Sequence, residues 1–401
     1  MIFLGKVAKP LLTRLLTKPI NYLYKKFSFE SELIDELNMI DDLPSLSGYE
    51  SVQTDGQRIA SSAWIVPSYA FDRVYGGAYV VARFMCELMK RGVETKLILY
   101  SDPNVDTKGV EEYFVKTFGV SPGILVYGRH DLPAVDAVFA MNWESAYMAL
   151  RYRNTRRRIY FVLEYDPGFY QAGAISAIAH ESYRLPLELV VYGIGLARYI
   201  EREFAVKCHV IPITVDSSVF HPPSHELKSP PFNVFFYARP RRARNGFSLG
   251  VAALRLAKQL IPELHVYSAG EEFNPKMFGL DTSWWHNLGY LGREKTAEVY
   301  KSCHASLVFC FTRATSIVAL EAMACGSLLV TNRSELDSWL TNDGATAISL
   351  PPHPNTVAEK LHEIWENYPT YREVARRGQK HASHWEWNTE VDRVLRELGV
   401  S

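Results

Sequence analysis

Residues 305–332 constrain the fold more than any other stretch of this chain. They begin with a continuous apolar run, Ala305–Cys310, which has the length and composition of a buried parallel strand. Hydroxyl side chains, among them Thr315 and Ser316, then cluster where a helix must begin. Apolar residues recur at helical spacing as far as Gly326, and a second apolar, β-branched run follows. The stretch therefore predicts a β-α-β unit with a short, polar turn before its helix.

The start of this helix is a candidate anion site. Unpaired backbone N–H groups and the positive end of the helix dipole meet there. Thr315 and Ser316 are natural N-caps, and Glu321 lies about five residues into the helix, in its second turn. A carboxylate at that position does not bind phosphate but is able to accept hydrogen bonds from a ribose diol. A purely structural β-α-β unit explains this stretch equally well.

The composition is that of a globular protein with two domains. The chain has 401 residues, of which 47% are hydrophobic and 22% charged. Basic and acidic residues both number 44, a balance that argues against a general nucleic-acid binder. The five cysteines lack any CxxC spacing, which is typical of thiols in a reducing compartment. No apolar run reaches the roughly 18 residues of a membrane span, so we expect a cytoplasmic protein.

The N-terminal end has a different charge pattern. Residues 1–29 hold six basic residues and no acidic one, interleaved with apolar residues. Such a segment is able to lie on an anionic membrane surface, which predicts a peripheral location at the inner face of the cell membrane. An extension that packs on the folded part is the alternative. Residues 30–57 are polar and acidic, so 1–57 are interpreted as a basic segment and connector.

Strands alternate with helical patterns through the rest of the chain. Residues 58–213 predict a Rossmann-like N-terminal domain, and the Gly76-Gly77 turn opens its first helix and lets a ligand approach the backbone. Residues 214–370 repeat this plan after a proline-rich linker, and one predicted strand there is Asn287–Leu291. Residues 371–401 predict a C-terminal helix that crosses back to the first domain. The predicted fold class is α/β, with two Rossmann-like domains whose parallel sheets face a central cleft.

A cluster of arginines follows the predicted strand Phe232–Tyr237. Its members are Arg239, Arg241, Arg242 and Arg244. Arginines between a strand and a helix suit bidentate binding of phosphate oxygens. The alternative is a solvated basic loop.

Several motifs together resemble a known family. The segment LEAMACGSLLVTN resembles the donor-site signature of retaining glycosyltransferases of family four, whose fold is GT-B. Further matching pieces, in the family's order, are the GG turn, ARPRRARNGFSLGVAAL, VYSAG, NLGYLGREKTAEVYKSC and HVIPITVDSSVF. The block IYFVLEYDPGFYQAGA is similar to rhamnosyltransferases of surface-polysaccharide and S-layer glycan assembly, which use dTDP-L-rhamnose.

The resemblance implies a donor site in the second domain. Arg239 and Arg244 would neutralise the donor pyrophosphate in catalysis, Thr315 and Ser316 would add helix-terminal contacts, and Glu321 would bind the ribose. Backbone groups at Gly289, Tyr290 and Leu291 would read the base, and Gly76 and Gly77 would lie beside the donor.

One position departs from the family pattern. The family pairs two glutamates separated by seven residues, and this chain has Arg313 where the first is expected. An arginine cannot accept hydrogen bonds from sugar hydroxyls, so the sugar contacts should differ, and Arg313 is instead able to approach a phosphate. The chain also lacks a DxD triplet. We therefore expect metal-independent chemistry without a cofactor, in which arginines and the helix dipole stabilise the leaving group.

Candidate acceptor contacts come from the first domain. Glu164 and Asp166 follow a predicted strand and are able to orient acceptor hydroxyls or act as a base, with Asp166 the preferred catalytic group. Trp143 also follows a strand and is able to stack on a sugar ring. Capping of the next segment by the carboxylates, and a core position for the tryptophan, are the structural alternatives.

Taken together, the sequence predicts a retaining glycosyltransferase. It would transfer L-rhamnose from dTDP-L-rhamnose to a growing cell-surface polysaccharide or S-layer glycan, and the saccharide acceptor would be free or linked to a lipid carrier. Three alternatives remain at this point: a GT-B transferase with another nucleotide sugar, a nucleotide-sugar epimerase, and a non-catalytic subunit of a glycan-assembly complex.

Overall fold

The computed structural model describes residues 33–34, 36–41, 43, 58–71, 76–225, 231–312, 316–335 and 338–400. By its internal contacts the chain forms two compact units, Met1–Tyr49 and Glu50–Ser401. In the first unit, residues 36–41 are helical. The basic segment 1–29, Arg313 and Thr315, for which the sequence makes predictions, lie outside the described residues.

The first half of the second unit is built on a parallel sheet of seven strands. These are β1 (Ser61–Pro67), β2 (Glu94–Tyr100), β3 (Gly123–Val126), β4 (Val135–Ala140), β5 (Thr155–Val162), β6 (Glu188–Tyr192) and β7 (Cys208–Ile211). Their order is β3-β2-β1-β4-β5-β6-β7, the doubly wound arrangement of a Rossmann-like domain. The helices are α1 (Gly76–Lys90), α2 (Thr107–Phe118), α3 (Trp143–Arg151), α4 (Ala174–Glu181) and α5 (Ile194–Phe204).

The second half repeats this architecture with six parallel strands. These are β8 (Phe232–Ala238), β9 (Leu264–Gly270), β10 (Trp285–Asn287), β11 (Ala305–Leu307), β12 (Leu328–Asn332) and β13 (Ile348–Leu350), in the order β10-β9-β8-β11-β12-β13. The helices are α6 (Phe247–Leu260), α7 (Arg293–Lys301), α8 (Ile317–Ala324), α9 (Ser338–Thr341), α10 (Pro354–Glu366), α11 (Tyr368–Ala382) and α12 (Trp387–Glu397). The predicted α/β class with two parallel sheets is confirmed.

Buried apolar side chains hold each sheet against its helices. In the first half, the indole of Trp64 stacks on Phe139 with ring centroids 4.2 Å apart, and Phe84 of α1 packs against both β1 and β5. All strand pairs are parallel, so the carboxyl ends of neighbouring strands meet at one edge of each sheet. Side chains that follow these strand ends therefore lie close together, even where they are far apart in the sequence.

The strand at the start of the stretch 305–332 is shorter than predicted. It ends at Leu307 and not at Cys310. The N–H of Val308 still donates to the Val330 carbonyl at 3.0 Å. At Cys310 the side chain of Asn332 takes over, because its Oδ1 accepts the Cys310 N–H at 2.7 Å and its Nδ2 donates to the Cys310 carbonyl at 3.0 Å. The chain at Cys310 is thus held at the sheet edge by one side-chain amide.

The predicted strand Asn287–Leu291 was placed too late. The observed strand is Trp285–Asn287, and Gly289 has a φ of 65°, a left-handed conformation that ends the extended chain. Residues 289–291 form a loop as a result. This loop follows the carboxyl end of β10, where a ligand can reach its backbone.

The last helix lies against the first half of the unit. Arg157 of β5 donates from Nη1 to the carbonyl of Leu398 at 2.6 Å, and its guanidinium forms a buried ion pair with Glu188 at 2.6 Å. His209 and Glu397 are 2.9 Å apart.

Among the described residues, no helix is both long and apolar enough to cross a membrane.

Candidate active site

A cavity of about 610 Å³ lies between the two halves, at the carboxyl edges of both sheets. The predicted residues that line it are Gly76, Gly77, Glu164, Arg239, Arg244, Tyr290, Leu291, Ser316 and Glu321. Further lining comes from Tyr79, Arg83, Asp216, Asn245, Gly270, Arg293, Cys310 and Trp387, among others. The sheet edges thus bring most of the predicted site residues to one place. Gly289 does not line the cavity itself, although the next two residues, Tyr290 and Leu291, do.

The arginine cluster divides into two pairs. Arg239 and Arg244 are half-buried and line the cavity, whereas Arg241 and Arg242 are exposed. Glu271 lies between Arg239 and Arg241, with Nε to carboxylate distances of 3.5 Å and 3.3 Å. Two guanidinium groups on one wall of a cavity form a strong site for an anion with several oxygens.

Backbone contacts fix the position of Arg244. Its carbonyl accepts the N–H of Phe311 at 2.9 Å, which ties the arginine loop to the chain after β11. Its guanidinium lies 4.6 Å from the ring centroid of Phe169, a residue of the first half. Gly246, which follows the cluster, has a φ of 60°, and a Cβ there would lie 2.7 Å from the Phe311 ring. Glycine is therefore required for this loop.

The start of α8 faces the same cavity. Ser316 is the N-cap residue, but its side chain makes no capping hydrogen bond, and Ser316, Ile317 and Val318 line the cavity. The Gly76-Gly77 turn lies close by, since a Cβ at Gly76 would be 3.3 Å from Cγ2 of Ile317. Two helix starts, α1 and α8, therefore meet at this point. Their combined dipoles favour a negatively charged group.

Glu321 lies one turn deeper, on the cavity side of α8. Burial raises the pKa of its carboxyl to about 8, while the positive charge of Arg293 acts in the opposite direction and Asp216 adds to the increase. In the part of the chain that the structure describes, this carboxyl has no hydrogen-bond partner. A buried carboxyl at the wall of a cavity, with free acceptor oxygens, suits a ligand that brings hydroxyl donors.

Arg293 is a site residue that sequence reasoning missed. Its Nη2 lies 2.8 Å from Oδ2 of Asp216, and its Nη1 donates to the hydroxyl of Tyr79 at 3.2 Å. The guanidinium also lies 4.9 Å from the Tyr79 ring centroid. It therefore joins the linker, α1 and α7. Its sequence signals were its position shortly after the loop 289–291 and its place in the piece NLGYLGREKTAEVYKSC, and neither distinguishes it from a surface residue at a helix start.

Glu164 is the predicted acceptor residue that reaches the cavity. Burial raises the pKa of its carboxyl, and the positive charges of Arg244 and Arg239 oppose that increase. Glu164 thus lines the same cavity as Arg239 and Arg244, which belong to the other half of the unit. This placement follows from its position directly after β5.

Asp166 does not line the cavity, and the prediction that it acts there as a base is wrong. It is buried, and its Oδ2 accepts hydrogen bonds from the backbone N–H of Trp143 and from the Tyr160 hydroxyl, both at 2.7 Å. Its own N–H donates to the hydroxyl of Tyr183 at 3.0 Å. Burial raises its pKa to about 7. Its observed contacts tie the loop after β5 to the start of α3.

Trp143 is also a structural residue, and the prediction that it stacks on a sugar is wrong. Only 2% of its surface is exposed. Its indole N–H donates to the hydroxyl of Tyr170 at 2.9 Å, and the two rings meet edge to face. The ring is thus enclosed by protein on its faces.

The chain is similar to known proteins over most of its length. A family model described as the C-terminal domain of WsaF matches residues 232–362. The O-antigen biosynthesis protein RfbC of Myxococcus xanthus is 34% identical over 352 residues, which cover 85% of this chain and 27% of that protein. The chain thus spans about a quarter of the length of that relative.

Solved structures share the architecture. Sucrose-phosphate synthase from Thermosynechococcus elongatus superimposes with a TM-score of 0.65 at 15% identity, covering 85% of this chain and 99% of that one. HepE from Anabaena, in complex with UDP and glucose, gives a TM-score of 0.62 at 13% identity, covering 84% and 99%. The predicted GT-B fold is therefore confirmed.

Proposed function

We propose that this chain is a glycosyltransferase of polysaccharide biosynthesis that uses a nucleotide sugar as donor. The observation that carries the proposal is the placement of Arg239, Arg244 and Glu321 around one cavity, beside the start of α8. A nucleoside diphosphate presents two groups, an anionic diphosphate and a ribose diol. The arginines and the helix start suit the first, and the free carboxyl of Glu321 suits the second.

The relatives support the same class. The Myxococcus relative is named an O-antigen biosynthesis protein, and the Anabaena structure holds UDP and glucose. For this chain we propose dTDP-L-rhamnose as donor and a growing cell-surface polysaccharide or S-layer glycan as acceptor. The block IYFVLEYDPGFYQAGA, with its similarity to rhamnosyltransferases, supports that choice of sugar.

The proposed chemistry is transfer with retention of configuration and without a metal ion. Negative charge develops on the diphosphate as the bond to the sugar breaks, and Arg239 and Arg244 stabilise that charge. We assign charge stabilisation to the arginines and the dipole of α8.

Glu164 is the proposed contact of the first half with the acceptor. Its carboxylate faces the position where the arginines would hold the leaving group, so an acceptor hydroxyl that attacks the sugar would pass near it. The leaving diphosphate and Glu164 are both available to receive the proton of that hydroxyl. We further propose that the basic segment 1–29 attaches the protein to an anionic membrane surface, where lipid-carried acceptors are present.

A turnover assay tests the proposal. The protein is incubated with dTDP-L-rhamnose, with and without a detergent extract of lipid-linked glycans, and products are separated by chromatography and mass spectrometry. Acceptor-dependent release of dTDP together with a glycan heavier by one deoxyhexose supports it. Conversion of the free donor to another dTDP sugar would indicate an epimerase. Binding of dTDP without any product in either mixture would indicate a non-catalytic subunit.

A further inference from the structure

The carboxyl ends of four neighbouring strands of the first sheet bring aromatic and acidic side chains together. The strands β2, β1, β4 and β5 are adjacent, and Pro67 at the end of β1 pairs with Tyr100 at the end of β2. Tyr69 follows β1, Glu144 follows β4 and Tyr170 follows β5. These side chains therefore share the carboxyl edge of the sheet, the position where open α/β sheets bind ligands.

Hydrogen bonds hold two of these groups in place. The hydroxyl of Tyr100 donates to Oε2 of Glu144 at 2.8 Å, and Nδ2 of Asn142 donates to the same oxygen at 3.2 Å. The indole of Trp143 donates to the hydroxyl of Tyr170 at 2.9 Å. The carboxylate and the ring are thus pre-positioned, and a ligand would not have to order them.

The aromatic rings beside this carboxylate are unusually exposed. The exposed fractions are 59% for Tyr69, 42% for Phe169 and 37% for Tyr170. Burial of part of the side chain raises the pKa of Tyr69 to about 12, and the negative charge of Glu144 adds to the increase. We call Tyr69, Glu144, Phe169 and Tyr170 the aromatic ledge.

The aromatic ledge adjoins the cavity of the candidate active site. Phe169 lies under the guanidinium of Arg244, with 4.6 Å from Cζ to the ring centroid, and Arg244 lines the cavity. A Cβ at Gly168 would lie 3.3 Å from Cγ2 of Thr312, so the two halves meet here through a glycine. A ligand on the ledge would therefore end at the arginine that we assign to the donor diphosphate.

We infer that the aromatic ledge binds the terminal sugar of the acceptor glycan, a pyranose with one apolar face. The carbon-hydrogen face of such a ring packs on Tyr69 and Tyr170, and its hydroxyls donate to the Glu144 carboxylate. The inference rests on the proposed function. It also gives a role to the two wrongly predicted acceptor residues: Trp143 and Asp166 do not touch the sugar but position the ledge.

Saturation-transfer NMR tests the inference with the full chain and saturating dTDP. The probes are the methyl α-glycosides of L-rhamnose, D-glucose, D-galactose and D-mannose. Wild-type protein should transfer saturation to the ring hydrogens of at least one probe. Tyr69→Ala and Glu144→Gln should each lower that signal about fivefold, the effect of one lost stacking or polar contact.

Two matched variants control the experiment. Tyr69→Phe keeps the ring and should keep the signal, and Tyr127→Ala removes a tyrosine of 42% exposure that follows β3 and lies outside the ledge. Calorimetric titration with dTDP should be unchanged in all four variants. The inference is overturned if wild type binds dTDP but no glycoside, or if Tyr69→Ala and Glu144→Gln keep the wild-type signal. Failure of wild type to bind dTDP would instead overturn the proposed function beneath it.

Discussion

Nη2 of Arg293 lies 2.8 Å from Oδ2 of Asp216, and this ion pair joins the start of α7 to the linker between the two halves. The same guanidinium donates to Tyr79 of α1 and opposes the raised pKa of Glu321. Arg293 thus contacts residues of both halves and also influences the charge state of Glu321, the residue proposed to bind the ribose.

Replacement of Arg293 should therefore weaken both stability and nucleotide binding. In Arg293→Met, Asp216 loses its partner, and we expect a loss of about 1 kcal/mol in the free energy of unfolding. The affinity for dTDP should also fall, because Glu321 becomes harder to ionise. Chemical denaturation and calorimetry measure the two effects. Arg202→Met is the matched control, since Arg202 pairs with Glu335 on the exposed surface. Equal effects in both variants would contradict the assignment.

Binding of dTDP should be linked to the ionisation of Glu321. Ribose hydroxyls donate to the ionised carboxylate and favour it, whereas the free protein holds a proton there up to a pKa of about 8. The complex therefore releases a proton, and affinity should increase about tenfold between about pH 7 and about pH 9. Calorimetry in buffers of different ionisation enthalpy measures the release. A Glu321→Gln variant should bind without this slope, and a wild-type affinity that is flat with pH would rule the linkage out.

The same pKa has the opposite effect on the free protein. Glu321 ionises near its ordinary value of 4.5 when unfolded and only at about 8 when folded. Its contribution to stability is therefore fully present below about pH 4.5 and decreases as the pH rises through 8. Glu321→Gln should consequently be more stable than wild type at about pH 9 in the absence of nucleotide. A melting temperature at that pH no higher than that of wild type would argue against the buried carboxyl.

Arg239 should matter for turnover far more than its neighbour Arg241. Both interact with Glu271, but Arg239 lines the cavity and the side chain of Arg241 is 78% exposed. Arg239→Ala should lower kcat about 100-fold, since it removes charge stabilisation that is strongest in the transition state. Arg241→Ala should change kcat less than about threefold. Equal losses in the two variants would show that the loop as a whole, and not the cavity arginine, is needed.

Glu164→Gln should separate binding from turnover. The wild-type carboxylate faces Arg239 and Arg244 and competes with the diphosphate for them. Its removal should tighten dTDP binding a few-fold while kcat falls about 100-fold or more through loss of the acceptor contact. Binding and steady-state kinetics on the same preparation measure both. Weaker dTDP binding in this variant would contradict this account, because it would show that Glu164 helps to bind dTDP and does not compete with the diphosphate for the arginines.

Sequence periodicity predicted the elements around the site well. The turn at Gly76-Gly77, the arginine cluster after β8 and Glu321 in α8 all lie where strand ends and helix starts should bring them. Such positions follow from local pattern and from the parallel order of the strands. The strand at 287–291 was misplaced because an apolar run does not reveal the left-handed conformation of Gly289.

Side-chain direction could not be predicted in the same way. Glu164 and Asp166 both follow β5, but one faces the cavity and the other accepts two hydrogen bonds inside the first half. Trp143 likewise needed its partner Tyr170, 27 positions away, to be recognised as structural. Arg293 was missed because its partners come from the linker and α1. These outcomes depend on tertiary contacts that a single sequence does not display.

The most direct test of the central claim is a calorimetric titration of the protein with dTDP, UDP and GDP. We predict one binding site per chain, with dTDP bound most tightly, and an affinity about tenfold lower in Glu321→Ala, the effect of lost hydrogen bonds to a charged group. Tyr127→Ala, altered outside the cavity, should match wild type. Absence of binding by all three nucleotides at millimolar concentration, or full affinity in Glu321→Ala, would contradict a nucleotide-sugar site in this cleft.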